Sequence, residues 1–166
     1  MTNNNTHPVE ASRRFHTIKR LFGAQGVRLK WAEGTEDGGW TVKSVNDPHP
    51  CATDFLQAFD ALAVFVDTPL GHTAAQQLGR IVLGVEIKYN KEGEESVYIT
   101  VTRLVEGYQP VNITLGKFAV AGELGAALED LTTCANLYLD GNKLQLELPD
   151  SADESDTAQQ QDLLAI

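Results

Sequence analysis

Residues 53–66 constrain the fold of this chain more than any other stretch of the sequence. Their apolar members recur with the 3.6-residue period of one helix face. These are Phe55, Leu56, Phe59, Leu62, Ala63 and Val66. Thr53 suits the N-cap position, and Asp54 places a negative charge in the first turn, where the helix dipole favours it. We therefore predict an amphipathic helix whose apolar face fills the core.

The segments on both sides of this helix alternate apolar and polar residues, which is the period of a half-buried strand. Three such segments precede the helix and predict a meander. We predict that the first of them is an edge strand, whose more apolar face carries His16, Ile18, Arg20 and Phe22. After the helix, residues 80–90 predict a strand with Ile81, Leu83, Val85, Ile87 and Tyr89 on one face. Residues 96–106 pair with it as a long hairpin, and a short strand follows near 111–115.

A second amphipathic helix is predicted over about residues 123–139, from the stripe Leu124, Leu128, Leu131, Ala135 and Tyr138. Gly141 then fits a left-handed position after the helix end. Alternation at 143–148 is the pattern of a last strand. Because strands come in runs, we predict an α+β fold with a mostly antiparallel sheet and two helices, in the order β-β-β-α-β-β-β-α.

The predicted domain organisation is a mobile segment at 1–12, a single α+β domain at 13–148 and a disordered acidic tail at 149–166. No apolar run approaches the 18 residues of a membrane span, and the N-terminal residues lack the apolar core of a secretory signal. We therefore expect a cytoplasmic protein without membrane contact.

Charge is unevenly distributed in a chain whose net charge is −10. Residues 11–32 contain six basic residues and no acid, interleaved with Phe15, His16, Phe22 and Trp31. Single-stranded nucleic acid is bound by such mixtures, because cations follow the phosphates and aromatic rings stack on the bases. The candidate contacts are Arg13, Arg14, Lys19, Arg20, Arg28, Lys30 and Trp31. The alternative is that the aromatic rings belong to the core and the cations face water.

The tail combines five acidic residues after position 149 with an apolar tip, Leu163-Leu164-Ala165-Ile166. In character it resembles the tails of single-stranded-DNA-binding proteins, although it lacks their final proline and phenylalanine. That resemblance implies partner recruitment through Leu163, Leu164 and Ile166, and competition with nucleic acid for the basic residues. A tail that only adds solubility is the alternative.

Motifs for catalysis are missing from the sequence. It contains no phosphate-binding loop and no nucleophile elbow, and the pair His49 and Cys51 is too small a ligand set for zinc. We therefore expect a protein that is not an enzyme, with no catalytic residues, no metal ion and no cofactor.

Five segments resemble small uncharacterised accessory proteins encoded by tailed bacteriophages and prophages: FLQAFDAL (55–62), LGVEIKY (83–89), VYITVTRL (97–104), PVNITL (110–115) and ANLYLDGNKLQL (135–146). This resemblance implies an accessory protein that acts inside a bacterial host cell, on DNA or against the host.

Three hypotheses for the function follow. The first is a non-enzymatic binding protein that acts on nucleic-acid machinery through a protein partner, as an inhibitor or an accessory factor. The second is a single-stranded nucleic-acid-binding protein, and the third is a homo-oligomer that sequesters a nucleotide.

Overall fold

The computed structural model describes residues 13–21 and 26–141, and within these ranges the chain forms six strands and four helices. The strands are β1 (Arg13–Arg20), β2 (Val27–Gly34), β3 (Trp40–Asp47), β4 (Arg80–Tyr89), β5 (Glu95–Arg103) and β6 (Val111–Ala119). The helices are α1 (Thr53–Asp60), α2 (Val64–Leu70), α3 (Ala74–Leu78) and α4 (Gly122–Leu139). All neighbouring strands are antiparallel, in the order β3-β2-β1-β4-β5-β6. The predicted α+β fold is confirmed.

The core lies between the sheet and the helices α1 and α4, which contact each other and the central strands β1 and β4. Every residue of the predicted α4 stripe is buried, as are five of the six apolar residues predicted for the first helix. Phe55 and Phe59 stack at 5.1 Å between ring centroids, and Tyr138 of α4 meets Phe55 edge-on. None of the helices that the structure describes has the length and the apolar run needed to cross a bilayer.

The predicted helix at 53–66 is divided in two. The amide of Leu62 bonds to the carbonyl of Phe59, and Ala63 bonds to Asp60, so this turn is tighter than an α-helix. The division keeps Leu62, Ala63 and Val66 in the core while α2 takes a new direction. The predicted N-cap is wrong by one residue, because Ala52 occupies that position without a capping side chain.

β1 is a central strand, so the prediction of an edge strand is wrong. It pairs with β2 on one side and β4 on the other, and it thereby joins the two halves of the sheet. A bulge between Phe15 and Thr17 shifts the alternation, so Phe15 and Ile18 both enter the core. The predicted apolar face is therefore correct at Ile18 and Arg20 and wrong at His16, the residue that the bulge inserts.

β4 carries a second bulge, between Val82 and Gly84. Val82 and Val85 are consequently both buried, whereas Ile81 and Leu83 are only partly buried. The predicted single face of this strand is therefore wrong before the bulge and correct at Val85 and Ile87. An extra residue in a strand changes which side of the sheet the following side chains occupy.

Several predictions fall outside the described residues. These are the segment 1–12, Phe22, the strand at 143–148 and the tail 149–166, including Leu163, Leu164 and Ile166.

Candidate nucleic-acid interface

The seven candidate contact residues of the basic segment divide between the two faces of the sheet. Arg13, Arg20 and Trp31 lie on the helix side. Arg14, Lys19, Arg28 and Lys30 lie on the opposite side, which we call the open face. The division follows from the two-residue period of a strand, because neighbouring side chains point to opposite faces.

The three residues on the helix side have structural contacts. Arg13 donates to Asn136 Oδ1 (3.1 Å) and pairs with Asp140 (2.9 Å), which holds the end of α4 against β1. Arg20 donates to the carbonyl of Val82 and to Asp60, with its guanidinium 5.1 Å from the Phe59 ring centroid. These contacts leave Arg13 and Arg20 no free charge for a ligand.

Trp31 is 7% exposed, and its indole Nε1 donates to Glu33 Oε1 at 2.9 Å. Glu33 also accepts from Lys43 at 2.6 Å. The bonds from Lys43 and Trp31 favour the ionised carboxylate and lower the pKa of Glu33 to about 2. Trp31 is therefore a core residue rather than a stacking platform for bases.

The open face is built from rows of paired residues that cross the strands. One row places Lys30 beside Thr17, then Glu86, then Tyr98, on β2, β1, β4 and β5. The neighbouring row places Arg28 beside Lys19. Directly paired residues of antiparallel strands share a face, so side chains distant in sequence become neighbours here.

On strands β1 to β5, the residues of the open face include five cations and a single carboxylate, a net charge of +4. The cations are Arg14, Lys19, Arg28, Lys30 and Lys88, and the carboxylate is Glu86. Lys19 pairs with Glu86 at 2.9 Å, whereas Arg28 donates to the neutral Asn46. Among the described residues, Arg14, Lys30 and Lys88 have no carboxylate partner.

Two aromatic residues accompany these cations. Trp40 on β3 is 45% exposed, and the Arg14 guanidinium lies 4.3 Å from its ring centroid. The ring of Tyr98 lies against Gly116 of β6, where a Cβ would approach it to 2.3 Å, and Lys88 Nζ is 4.7 Å from its centroid. Each ring therefore already has a cation beside it, as in sites where bases and phosphates bind together.

An open depression of about 380 Å³ lies in this face. Its lining includes His16, Val42, the two lysines Lys30 and Lys88, and the carboxylate Glu86, whose charge is balanced by Lys19. Two of these are the lysines without carboxylate partners, so the depression is a favourable position for a phosphate group.

The helical layer has the opposite charge. Residues 53–78 and 122–139 contain no lysine or arginine, whereas exposed carboxylates occur at Asp54, Asp60, Glu123, Glu129 and Asp130. The described part of the molecule is therefore cationic on its open face and anionic on its helical layer. Such an asymmetric field orients a polyanion toward the sheet.

A partly buried polar network at the end of α2 was not anticipated from the sequence. His72 Nδ1 bonds to Asp67 Oδ1 (2.8 Å), and Arg80 pairs with the other oxygen of Asp67 (2.6 Å). Arg103 Nε donates to His72 Nε2 at 3.3 Å, so both ring nitrogens are occupied. Burial would raise the pKa of Asp67, but the bonds from His72 and Arg80 outweigh it and lower that pKa. The network holds the α2–α3 turn against β4 and β5.

Lys88 and Tyr98 are the members of the open face that sequence reasoning missed. They lie far along the chain from the basic segment, and only the pairing of β1 with β4 brings them to it. In the described part of the chain, no three His, Cys, Asp or Glu side chains are placed to share a metal ion. The chain matches no family model, no curated protein and no solved structure among those compared with it.

Proposed function

We propose that the protein is a non-enzymatic binding protein of nucleic-acid metabolism, and that it binds single-stranded nucleic acid on the open face. The observation that supports this function best is the gathering of five cations and two aromatic rings on one face of an acidic protein. Unpaired cations bind phosphates with release of counterions, which gives favourable free energy at low salt.

A single strand suits this surface better than a duplex does. Trp40 is 45% exposed and offers a ring that an unpaired base can stack on, and such a stack contributes about 1–3 kcal/mol. A duplex hides the faces of its bases. We therefore expect binding with little sequence preference and strong salt dependence.

The test is fluorescence anisotropy of a labelled single-stranded oligonucleotide at two salt concentrations. Lys30→Gln and Lys88→Gln should each weaken binding by several-fold and reduce the salt slope by roughly one. Lys91→Gln, an equal change of charge in the β4–β5 turn, should have almost no effect. Trp40→Leu should weaken binding roughly 5- to 150-fold, because one stack is lost.

Three results would contradict this function. The first is an equal loss of oligonucleotide affinity in Lys30→Gln and Lys91→Gln. The others are equal affinity for double-stranded and single-stranded oligonucleotides, and no oligonucleotide binding at low salt. Tight binding of a mononucleotide would instead favour the nucleotide-sequestering alternative.

A further inference from the structure

A groove of about 270 Å³ lies on the other side of the molecule, between α4 and the β4–β5 hairpin. Phe15, Ile87 and Leu128 line it, and all three belong to the hydrophobic core. The volume is below the roughly 300–1,000 Å³ of pockets that hold whole small molecules. It suits one long side chain better than a complete ligand.

Carboxylates stand at the mouth of this groove. Glu95 and Glu129 line it and are exposed, and neither has an ion-pair partner within the described ranges. Arg13 also lines the groove, but Asp140 and Glu33 already compensate its charge. An occupant therefore meets a mixture of apolar and polar side chains, together with two carboxylates that lack ion-pair partners within the described ranges.

We propose that this groove receives an arginine side chain from a basic partner protein. The apolar stem of an arginine can lie on Phe15 and Leu128, while its planar guanidinium bonds to carboxylates at the mouth. The surrounding helical layer, which lacks lysine and arginine in α1 and α4, attracts the basic surface that carries this side chain. The site is independent of nucleic-acid binding on the open face. When nucleic acid occupies the open face and an arginine occupies the groove, the protein joins single-stranded nucleic acid to a basic protein.

Gly125 of α4 gives a direct test of the groove. It lines the groove, and a Cβ at this position would have its nearest neighbours at Val120, 3.8 and 3.9 Å away. These are ordinary contact distances, so position 125 accepts a side chain. Gly125→Leu should fill the groove without changing charge, whereas Gly125→Ala should leave it open.

The probe is N-acetyl-arginine amide, titrated into the ¹⁵N-labelled full chain and followed by amide chemical shifts. We expect shifts at Gly125, Thr132 and their neighbours, and none with the neutral isostere N-acetyl-citrulline amide. Glu129→Gln combined with Glu95→Gln should weaken binding at least fivefold, whereas Glu123→Gln, also on α4, should not. Gly125→Leu should abolish the shifts, and Lys30→Gln should leave them unchanged.

Four outcomes would overturn the proposal. These are equal shifts with the citrulline amide, equal binding of N-acetyl-lysine amide, shifts spread evenly over the acidic residues of the helical layer, or unchanged binding by the Glu95/Glu129 double variant. The last measurement decides the matter even where Gly125→Leu does not fold, and none of the four depends on the oligonucleotide result.

Discussion

Gly84 carries the most sharply defined prediction for stability. Its φ is +153°, and a Cβ at this position would lie 2.1 Å from the carbonyl oxygen of Ile18 and 2.6 Å from the Cα of Lys19. Both atoms belong to the backbone of β1, so they cannot move aside as the end of a side chain could. β1 and β4 are the strands that join the two halves of the sheet, through three paired positions.

We expect Gly84→Ala to lower the free energy of unfolding by roughly 2–6 kcal/mol. The unfavourable φ contributes about 1–3 kcal/mol, and forcing the two backbones apart contributes about 1–3 kcal/mol more. Against a typical stability of about 5–15 kcal/mol, this loss removes a large part of the total. The melting temperature should fall by roughly 2–4 °C per kcal/mol.

Urea unfolding followed by tryptophan fluorescence measures this loss, because Trp31 is buried in the folded state. The matched control is Gly93→Ala in the β4–β5 turn. Gly93 also has a positive φ, +83°, but a Cβ there would meet nothing within 4 Å. Gly93→Ala should therefore lower the free energy of unfolding by only about 1–2 kcal/mol, because alanine disfavours this backbone conformation. An equal loss in the two variants would refute the argument from close approach of β1 and β4.

Three further predictions concern the core, the pH dependence and the tail. Phe59→Ala should lower the free energy of unfolding in urea by about 3–5 kcal/mol, because Phe59 is fully buried. Asp60→Ala, which removes an exposed ion pair with Arg20, should cost under about 1 kcal/mol, and similar losses would contradict the helical phase. Because the folded pKa of Glu33 is about 2 and its ordinary value is 4.5, its stabilisation is complete above pH 4.5 and is lost as the pH falls toward 2. The free energies of unfolding of the wild type and Glu33→Gln, measured in urea, should differ by about 1–2 kcal/mol at pH 6 and by less than half of that at pH 3, and a constant difference would contradict it. Deleting residues 149–166 should leave the melting temperature almost unchanged and tighten oligonucleotide binding, because competing carboxylates are removed; weaker binding would contradict this.

The periodic segments of the sequence determined the fold class and most of the core. The stripe from Leu124 to Tyr138 predicted α4 and its buried face, because one helix face is a local property of 3.6-residue spacing. The sequence likewise predicted the strand at 96–106, and Val97, Ile99 and Val101 form the buried face of β5 because this strand contains no inserted residue there. The concentration of cations near the N-terminus was also evident from the sequence.

The sequence did not reveal where the alternation changes phase. The bulges near His16 and Gly84 each insert a residue, and local spacing does not show them because they are features of the pairing of β1 with β2 and of β4 with β5. The pairing of β1 with β2 and β4 decides which cations of different strands share a surface. It brings Lys30 near Lys88, through hydrogen bonds between strands that are remote in the chain.

The charges of the basic residues were determined by the sequence, but their availability was decided by the tertiary structure. Arg13 and Arg20 have carboxylate partners on helices that the sequence places far from them, whereas Lys30 has no carboxylate partner within the described ranges. Local spacing fixes the face that a side chain occupies until a bulge intervenes. Which partner it meets there depends on the packing of distant elements, and this is why the candidate interface became visible only in the folded chain.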